Sequence, residues 1–323
     1  MDIRDIHTFL QAPLARVETY IEASLRSDIG LLDQTNRSLR EHPGKMLRPM
    51  LALLVAGALG KVNESTLHYA AATELLHNAT LLHDDVVDGA ALRRGVPTVA
   101  SILGPQAAVL IGDFWLVRCL DLVQEAQVQP YRVLGLFSAT LSHLTEGELL
   151  QMERTKDGAT TQEDYLRIIY GKTASLFVTA AKSAAISVNA ADGLQEKAVE
   201  FAHKLGTAFQ LRDDILDYVG DALGKPAGLD LKEQKITQPL LCALEKAPQE
   251  AARVRGMVSR IGEEPELAGK VQAFVAAQDG AALAVGVMNR YIEEAIACLD
   301  AFPESEEKQY LTALTRYIGE RLY

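Results

Sequence analysis

Residues 205–218 read LGTAFQLRDDILDY, and the spacing of their apolar positions decides the fold class. Leu205, Phe209, Ile215 and Leu216 mix with polar positions at three- and four-residue steps, the period of an amphipathic helix. Similar patterns recur at 51–59, 67–83, 133–152, 165–186 and 281–299, and strict two-residue alternation is hard to find. Breakers separate these segments: His42-Pro43-Gly44, 94–97, Gly104-Pro105, Gln129-Pro130, 220–226, Glu264-Pro265 and Phe302-Pro303. The spacing predicts an all-α protein of roughly ten helices joined by short loops. No low-complexity linker or solenoid period divides the chain, so residues 1–323 are expected to form one helical domain.

Composition fits this reading. Of 323 residues, 48% are hydrophobic and 23% charged, enough to bury a large core. The 32 basic and 43 acidic residues leave a net charge of −11, which argues against a nucleic-acid partner, since phosphate neutralisation needs a basic surface. A protein this acidic handles phosphate by concentrating its cations locally or by recruiting a metal. Three scattered cysteines (Cys119, Cys242, Cys298) make neither a zinc site nor a disulfide framework. The start, MDIRDIHTFLQ, lacks the pattern of a signal peptide, and apolar runs such as 50–56 and 107–111 fall well short of a membrane span. A cytoplasmic location without an integral membrane segment is expected.

The chemistry is concentrated in two clusters, Asp84-Asp85-Val86-Val87-Asp88 and Asp213-Asp214-Ile215-Leu216-Asp217, both of the form D-D-x-x-D. On a helix, Asp84 and Asp88 stand one turn apart on one face, as do Asp213 and Asp217. Like charges at that spacing destabilise a helix, and here apolar neighbours flank them. One such cluster reads as well as a solvated acidic turn; a matching pair within apolar helices calls for an offsetting cation. Oxygen ligands without nearby cysteine select Mg²⁺ or Mn²⁺ over zinc, and Mg²⁺ commonly completes its shell with water and substrate phosphate.

Basic residues lie near predicted helix ends. Lys45 and Arg48 in GKMLRP are expected one helical turn apart, Arg93-Arg94 follow the first cluster, Lys172-Thr173 fall in a predicted helix, and Lys225 and Lys235 flank the loop after the second cluster. Singly, each reads as a solvated surface cation. Arg93-Arg94 are the exception, because paired guanidiniums beside a metal site suit bidentate phosphate binding. His77 lies about two turns before Asp84 on a similar face, His83 adjoins the cluster and reads as a packing or orienting residue, and Gln210 is placed to turn its amide toward Asp213.

In this arrangement the chain resembles the trans-isoprenyl diphosphate synthases, specifically the long-chain polyprenyl (octaprenyl or solanesyl type) diphosphate synthases. The motifs that carry the resemblance are GKMLRP (44–49), LLHDDVVDGAALRRGVPT (81–98), GDF (112–114), EGELLQM (146–152), YGKTASLF (170–177), GTAFQLRDDILDYVGD (206–221) and LGKPAGLDLKEQKITQPLL (223–241). It implies a single all-α domain of long helices around a central cavity, a homodimer, and Mg²⁺ (about three ions per active site). It further implies that Asp84, Asp88 and Asp213, assisted by Asp85, Asp214 and Asp217, hold the metal. Lys45, Arg48, His77 and Arg94 would bind isopentenyl diphosphate. Arg93, Lys172 and Lys235 would hold the allylic diphosphate, with Lys225 in the loop nearby, and Thr173 and Gln210 would face the developing carbocation.

The resemblance also bears on product length. Five residues before Asp84 stands Ala79, beside Thr80, where a bulky aromatic would close the pocket. Leu116, Cys119, Leu120 and Val123 are candidates for its floor. A small side chain leaves room for a product of about C30–C50, of the kind attached to quinones. Two positions depart from the family pattern: Met46 stands where a second basic residue is usual, and Gln234 where glycine is usual. The competing readings are a shorter-chain farnesyl or geranylgeranyl diphosphate synthase, a terpene cyclase and a non-catalytic synthase subunit. The intact second D-D-x-x-D together with Lys45 and Arg48 argues against a cyclase, and the complete aspartate set argues against a non-catalytic subunit.

Overall fold

The computed structural model describes residues 3–41, 44–93, 95–219 and 228–320. Helices dominate it: α1 (Ile3–Phe9), α2 (Gln11–Ser24), α3 (Gly30–Glu41), α4 (Leu47–Leu59), α5 (Glu64–Val87), α6 (Val99–Leu103), α7 (Pro105–Glu125), α8 (Pro130–Asp157), α9 (Gln162–Ile169), α10 (Ser175–Ser187) and α11 (Asp192–Val219). They continue as α12 (Leu229–Lys232), α13 (Gln238–Lys246), α14 (Ala251–Val258), α15 (Leu267–Ala277), α16 (Gly280–Cys298) and α17 (Glu306–Glu320). The expectation of an all-α protein holds. The one sheet among the described residues is a hairpin of two-residue strands, β1 (Leu92–Arg93) against β2 (Val96–Pro97), with Arg93 opposite Val96. No single helix among the described residues is long and apolar enough to cross a membrane.

Packing divides the chain into two compact units. The first comprises residues 1–138, 179–199 and 301–311, and the second residues 139–178, 200–300 and 312–323.

In the first unit α5 is the central element, packed against α2, α4 and α7. A capping box starts it: Asn63 Oδ1 accepts from the Thr66 N–H, and Thr66 Oγ1 accepts from the Asn63 N–H. Asn63 Nδ2 also donates to the Ser187 carbonyl at 2.8 Å. From Leu67 to Leu76 every residue of α5 is buried, His68, Thr73 and Glu74 included, so this stretch has no solvent-exposed face. Helix α4 is equally immersed, with Met50–Ala56 inaccessible to solvent. Its start differs from expectation. Met46 has φ 51°, in the left-handed region, and the helix begins only at Leu47. Lys45 therefore lies exposed ahead of the helix, while Arg48 is buried in its first turn, where Pro49 is tolerated because no intrahelical N–H bond is needed there. Met46 is itself buried, so this position presents no side chain to solvent where a cation would be useful.

In the second unit α13 packs against α14, α15 and α16 and also meets α9. The sequence pattern at 165–186, continuous in its period, is interrupted by a π-turn at Tyr170–Ala174 between α9 and α10. Two glycines meet there. A Cβ on Gly171 would lie 2.4 Å from the His143 carbonyl oxygen and 3.1 Å from the Gly147 Cα, so α8 approaches the turn backbone to backbone.

Candidate active site

The two aspartate clusters belong to different compact units. In the first, Asp84 and Asp85 occupy the last turn of α5, and Asp88 is its exposed C-cap, donating its N–H to the Asp84 carbonyl. Asp85 is buried and paired, its Oδ1 accepting from Arg93 Nε at 2.7 Å. The hairpin thus returns Arg93 to the helix that precedes it. Arg94 lies outside the described residues. His77 is half-buried on α5, and its carbonyl accepts from Thr80 Oγ1 at 2.9 Å. His83 turns to α7: Nε2 lies 3.2 Å from the Val109 carbonyl oxygen and 3.4 Å from Asp113 Oδ1.

The residues assigned to the chain-length pocket fall on α5 and α7, the most closely packed helix pair of this unit. Ala79, Cys119 and Val123 are fully buried, and Thr80, Leu116 and Leu120 half-buried. Leu116, Cys119, Leu120 and Val123 follow helical spacing and share one face of α7. Burial pushes the Cys119 thiol far up, so it acts as a small apolar side chain.

The second unit contains a cavity lined by Gln151, Tyr165, Lys172, Gln210, Asp214, Asp230, Lys235 and Thr237, among others. Four of these, Lys172, Gln210, Asp214 and Lys235, were predicted from sequence. The π-turn presents the first: Lys172 Nζ lies 2.8 Å from Glu148 Oε2 on α8, while Thr173 is buried and donates through Oγ1 to Gln210 Oε1 at 2.7 Å. On α11, Gln210 Nε2 donates to Asp214 Oδ1 at 2.8 Å, and Tyr165 Oη of α9 donates to Asp214 Oδ2 at 2.6 Å. Both oxygens of Asp214 are engaged. Asp213 turns to Arg212, whose Nη2 is 2.6 Å from its Oδ1. Asp217 accepts from two backbone N–H groups, Leu229 at 3.0 Å on Oδ1 and Asp230 at 3.1 Å on Oδ2, and so caps α12. Lys225 lies outside the described residues, and Lys235 pairs with Glu233.

Tyr165 and Asp230 were missed by sequence reading. Asp230 sits in the quoted 223–241 motif, but an aspartate after an Ala-Gly-Leu run reads as a loop residue, and nothing local marks its burial. The electrostatics are unusual for carboxylates. Burial, then the nearby charge of Asp230, pushes Asp214 up to about 8. Burial, then Asp217, pushes Asp230 up to about 7, with Lys235 opposing. Burial without full compensation disfavours the ionised form of both carboxyls, and a cation in the cavity would restore it. Gln234 accounts for its own departure from the family pattern. It takes the left-handed conformation (φ 58°) that glycine favours, and its side chain donates to the Ser259 carbonyl at 2.7 Å.

All-helical architecture, paired aspartate clusters on helix ends and a cavity that gathers lysines, amide and carboxylate define a class of diphosphate-handling helical proteins, and known proteins bear this out. The polyprenyl synthetase family model matches residues 30–277. Octaprenyl diphosphate synthase of Haemophilus influenzae is 35% identical over 326 residues, covering 100% of this chain and 98% of that protein. The crystal structure of a decaprenyl diphosphate synthase from Rhodobacter capsulatus superposes with a TM-score of 0.90 at 31% identity, over 99% of each chain. A polyprenyl synthase from Caulobacter crescentus, complexed with calcium and isoprenyl diphosphate, gives 0.89 at 32% identity, over 99% of this chain and 98% of that one. The chain belongs to the polyprenyl synthetase family.

Proposed function

We propose that this chain is a metal-dependent trans-prenyltransferase. It condenses isopentenyl diphosphate onto an allylic diphosphate, repeatedly, to give an all-trans polyprenyl diphosphate of about C30–C50 whose length is set by pocket volume. The observation that carries this reading is the cavity joining Lys172, Gln210, Asp214 and Lys235, in a chain aligned end to end with an octaprenyl diphosphate synthase.

The donor set suits a hard divalent cation, Mg²⁺ or Mn²⁺. It consists of carboxyl groups, and the ionised form of buried Asp214 and Asp230 needs a positive neighbour. Among the described residues no group of three or more His, Cys, Asp or Glu side chains is gathered closely enough to hold a metal ion by itself. Mg²⁺ needs none, since one or two carboxylates with water and phosphate oxygens complete its shell. Asp84, Asp88 and Asp213 would hold it, with Asp85, Asp214 and Asp217 supporting. When bound, the metal neutralises charge on the departing diphosphate.

The chain's own groups do the rest. Arg93, Lys172 and Lys235 grip the allylic diphosphate, and Lys45, Arg48, His77 and Arg94 hold isopentenyl diphosphate with its double bond toward the allylic carbon. The bond from that carbon to the diphosphate oxygen breaks, the electron pair leaving with oxygen. The double bond then attacks the allylic cation, which faces the oxygens of Thr173 and Gln210. The departed diphosphate accepts the proton lost in forming the new trans double bond, so no protein nucleophile is needed.

Residues 1–323 work as one catalytic domain in this reading, in the cytoplasm, supplying side chains for quinones. The chain pairs with a second copy through α6 and α7, where Ile102 and Leu110 are 62% and 68% exposed and Val117, seven residues on from Leu110, is exposed as well. Sedimentation of the wild type and of Leu110→Glu tests the dimer. Incubation of the purified chain with Mg²⁺, farnesyl diphosphate and labelled isopentenyl diphosphate tests the activity. Elongated linear products support it, cyclic products point to a cyclase, and no turnover points to a non-catalytic subunit. Asp84→Ala or Asp213→Ala with undiminished turnover overturns the metal assignment.

A further inference from the structure

One buried group in the second unit touches no substrate in the scheme above and yet ends a continuous chain of hydrogen bonds that reaches the reacting face. Tyr165 is buried, and its Oη donates to Asp214 Oδ2 at 2.6 Å. Asp214 Oδ1 takes the Gln210 amide N–H at 2.8 Å, and Gln210 Oε1 takes the Thr173 hydroxyl at 2.7 Å. With Asp214 ionised, as a cation in the cavity would keep it, the direction of each link is forced. The carboxylate then only accepts, so the Gln210 NH₂ must turn toward Asp214 and its C=O away. The C=O only accepts, so the Thr173 proton must point at Gln210, which leaves the Thr173 lone pairs facing outward. The two groups placed beside the reacting carbon therefore present oxygen acceptors, the negative ends of their dipoles. Reversing the Gln210 amide would present N–H groups and repel a developing cation.

We propose that Tyr165 is a positioning residue for the ionisation step. By filling the second oxygen of Asp214, it locks that carboxylate in the rotamer that orients the Gln210 amide and, through it, the Thr173 hydroxyl. The inference rests on the prenyltransferase reading, and it assigns to Tyr165 a function that motif matching does not, since the residue lies five positions before the YGKTASLF stretch. The hydroxyl is a single atom whose removal leaves the ring in place, so the tyrosine is separable from the packing it contributes.

The test is Tyr165→Phe, with a cationic aza-analogue of the allylic diphosphate and a neutral thio-diphosphate isostere as probes. Titration calorimetry gives the affinity of each in Mg²⁺, and thermal unfolding checks that the variant folds. The expected result is a roughly tenfold or greater loss in kcat with KM for isopentenyl diphosphate little changed. The cationic probe should lose its advantage over the neutral one by a similar factor. Tyr165→Phe should add nothing further in a Gln210→Leu background, because the effect passes through that amide. An unchanged ratio of probe affinities, or a full additional loss in the Gln210→Leu background, overturns the proposal. If the variant unfolds, the same ratio is measured on Thr173→Val with and without the Gln210→Leu change, where additive losses overturn the relay. A wild-type chain that elongates no allylic primer removes the prenyltransferase reading itself, a result distinct from a variant that behaves like an active wild type.

Discussion

Arg93 and Asp85 are bound to each other: the guanidinium Nε donates to Asp85 Oδ1 at 2.7 Å, joining the hairpin to the last turn of α5. The same arrangement holds for two other cations assigned to the allylic diphosphate, Lys172 on Glu148 and Lys235 on Glu233. Each of these cations is held by a carboxylate of its own compact unit. Arg93 is partly exposed but its partner is buried, so the pair is worth more than a surface ion pair. Arg93→Ala should destabilise the chain by about 1–3 kcal/mol, because a buried carboxylate loses its donor. It should also raise KM for the allylic substrate. Urea denaturation reads the first effect and initial rates the second; a variant as stable as wild type denies the pair its structural part.

The carboxyls of Asp214 and Asp230 make stability depend on pH. A folded-state pKa raised above the unfolded value gives stability that is complete below the ordinary carboxylate range and is lost as pH rises through the folded value. With these groups raised to about 8 and about 7, the metal-free chain should lose stability between about pH 4 and pH 8. Burial lowers the His203 pKa and acts in the opposite sense at acid pH, so the measurement is the difference between wild type and Asp214→Asn. In EDTA that difference in Tm should move against the wild type as pH rises. Parallel curves from pH 5 to pH 9 would sink the assignment.

Ala79 is fully buried on α5, which packs closely on α7. Ala79→Phe should shorten the product, at a cost in stability of about 1–3 kcal/mol from overpacking. Chromatography of the dephosphorylated products measures the first effect and thermal unfolding the second. A folded variant with wild-type product length rules out this wall of the pocket.

Gly171 allows no side chain, since its Cβ would meet the His143 carbonyl oxygen at 2.4 Å. Gly171→Ala should push the π-turn off α8 and move Lys172 and Thr173 with it. A loss of about 1–3 kcal/mol in stability and a fall in kcat are expected together. Normal turnover would show that the turn tolerates displacement.

Helix α16 was legible because burial of one face leaves a period in the sequence. The aspartate clusters were legible because six carboxylates in apolar surroundings need a compensating reason. The left-handed conformations of Met46 and Gln234 were not, since neither residue type favours them and tertiary contacts over-determine both. Nor was the different engagement of the second cluster's aspartates. Asp213 meets a guanidinium, Asp214 a phenol and an amide, and Asp217 two backbone N–H groups, and only three-dimensional neighbours separate them. Tyr165 was invisible because a helical tyrosine in an apolar stripe looks like core until the partner of its hydroxyl is seen.

The π-turn at Tyr170–Ala174 is also a statement about register. A wide turn accommodates one residue more than the regular helix needs, and each residue of an α-helix advances the azimuth by about 100°. Everything downstream of the turn is rotated by that amount relative to α9. Removing one residue here would spare the composition and the hydrophobic period of the segment while swinging the Lys172–Thr173 edge about a quarter-turn out of phase with Tyr165. Length is therefore specified in this stretch as well as side-chain identity, and an insertion or deletion there should displace Lys172 and Thr173 even with every side chain kept.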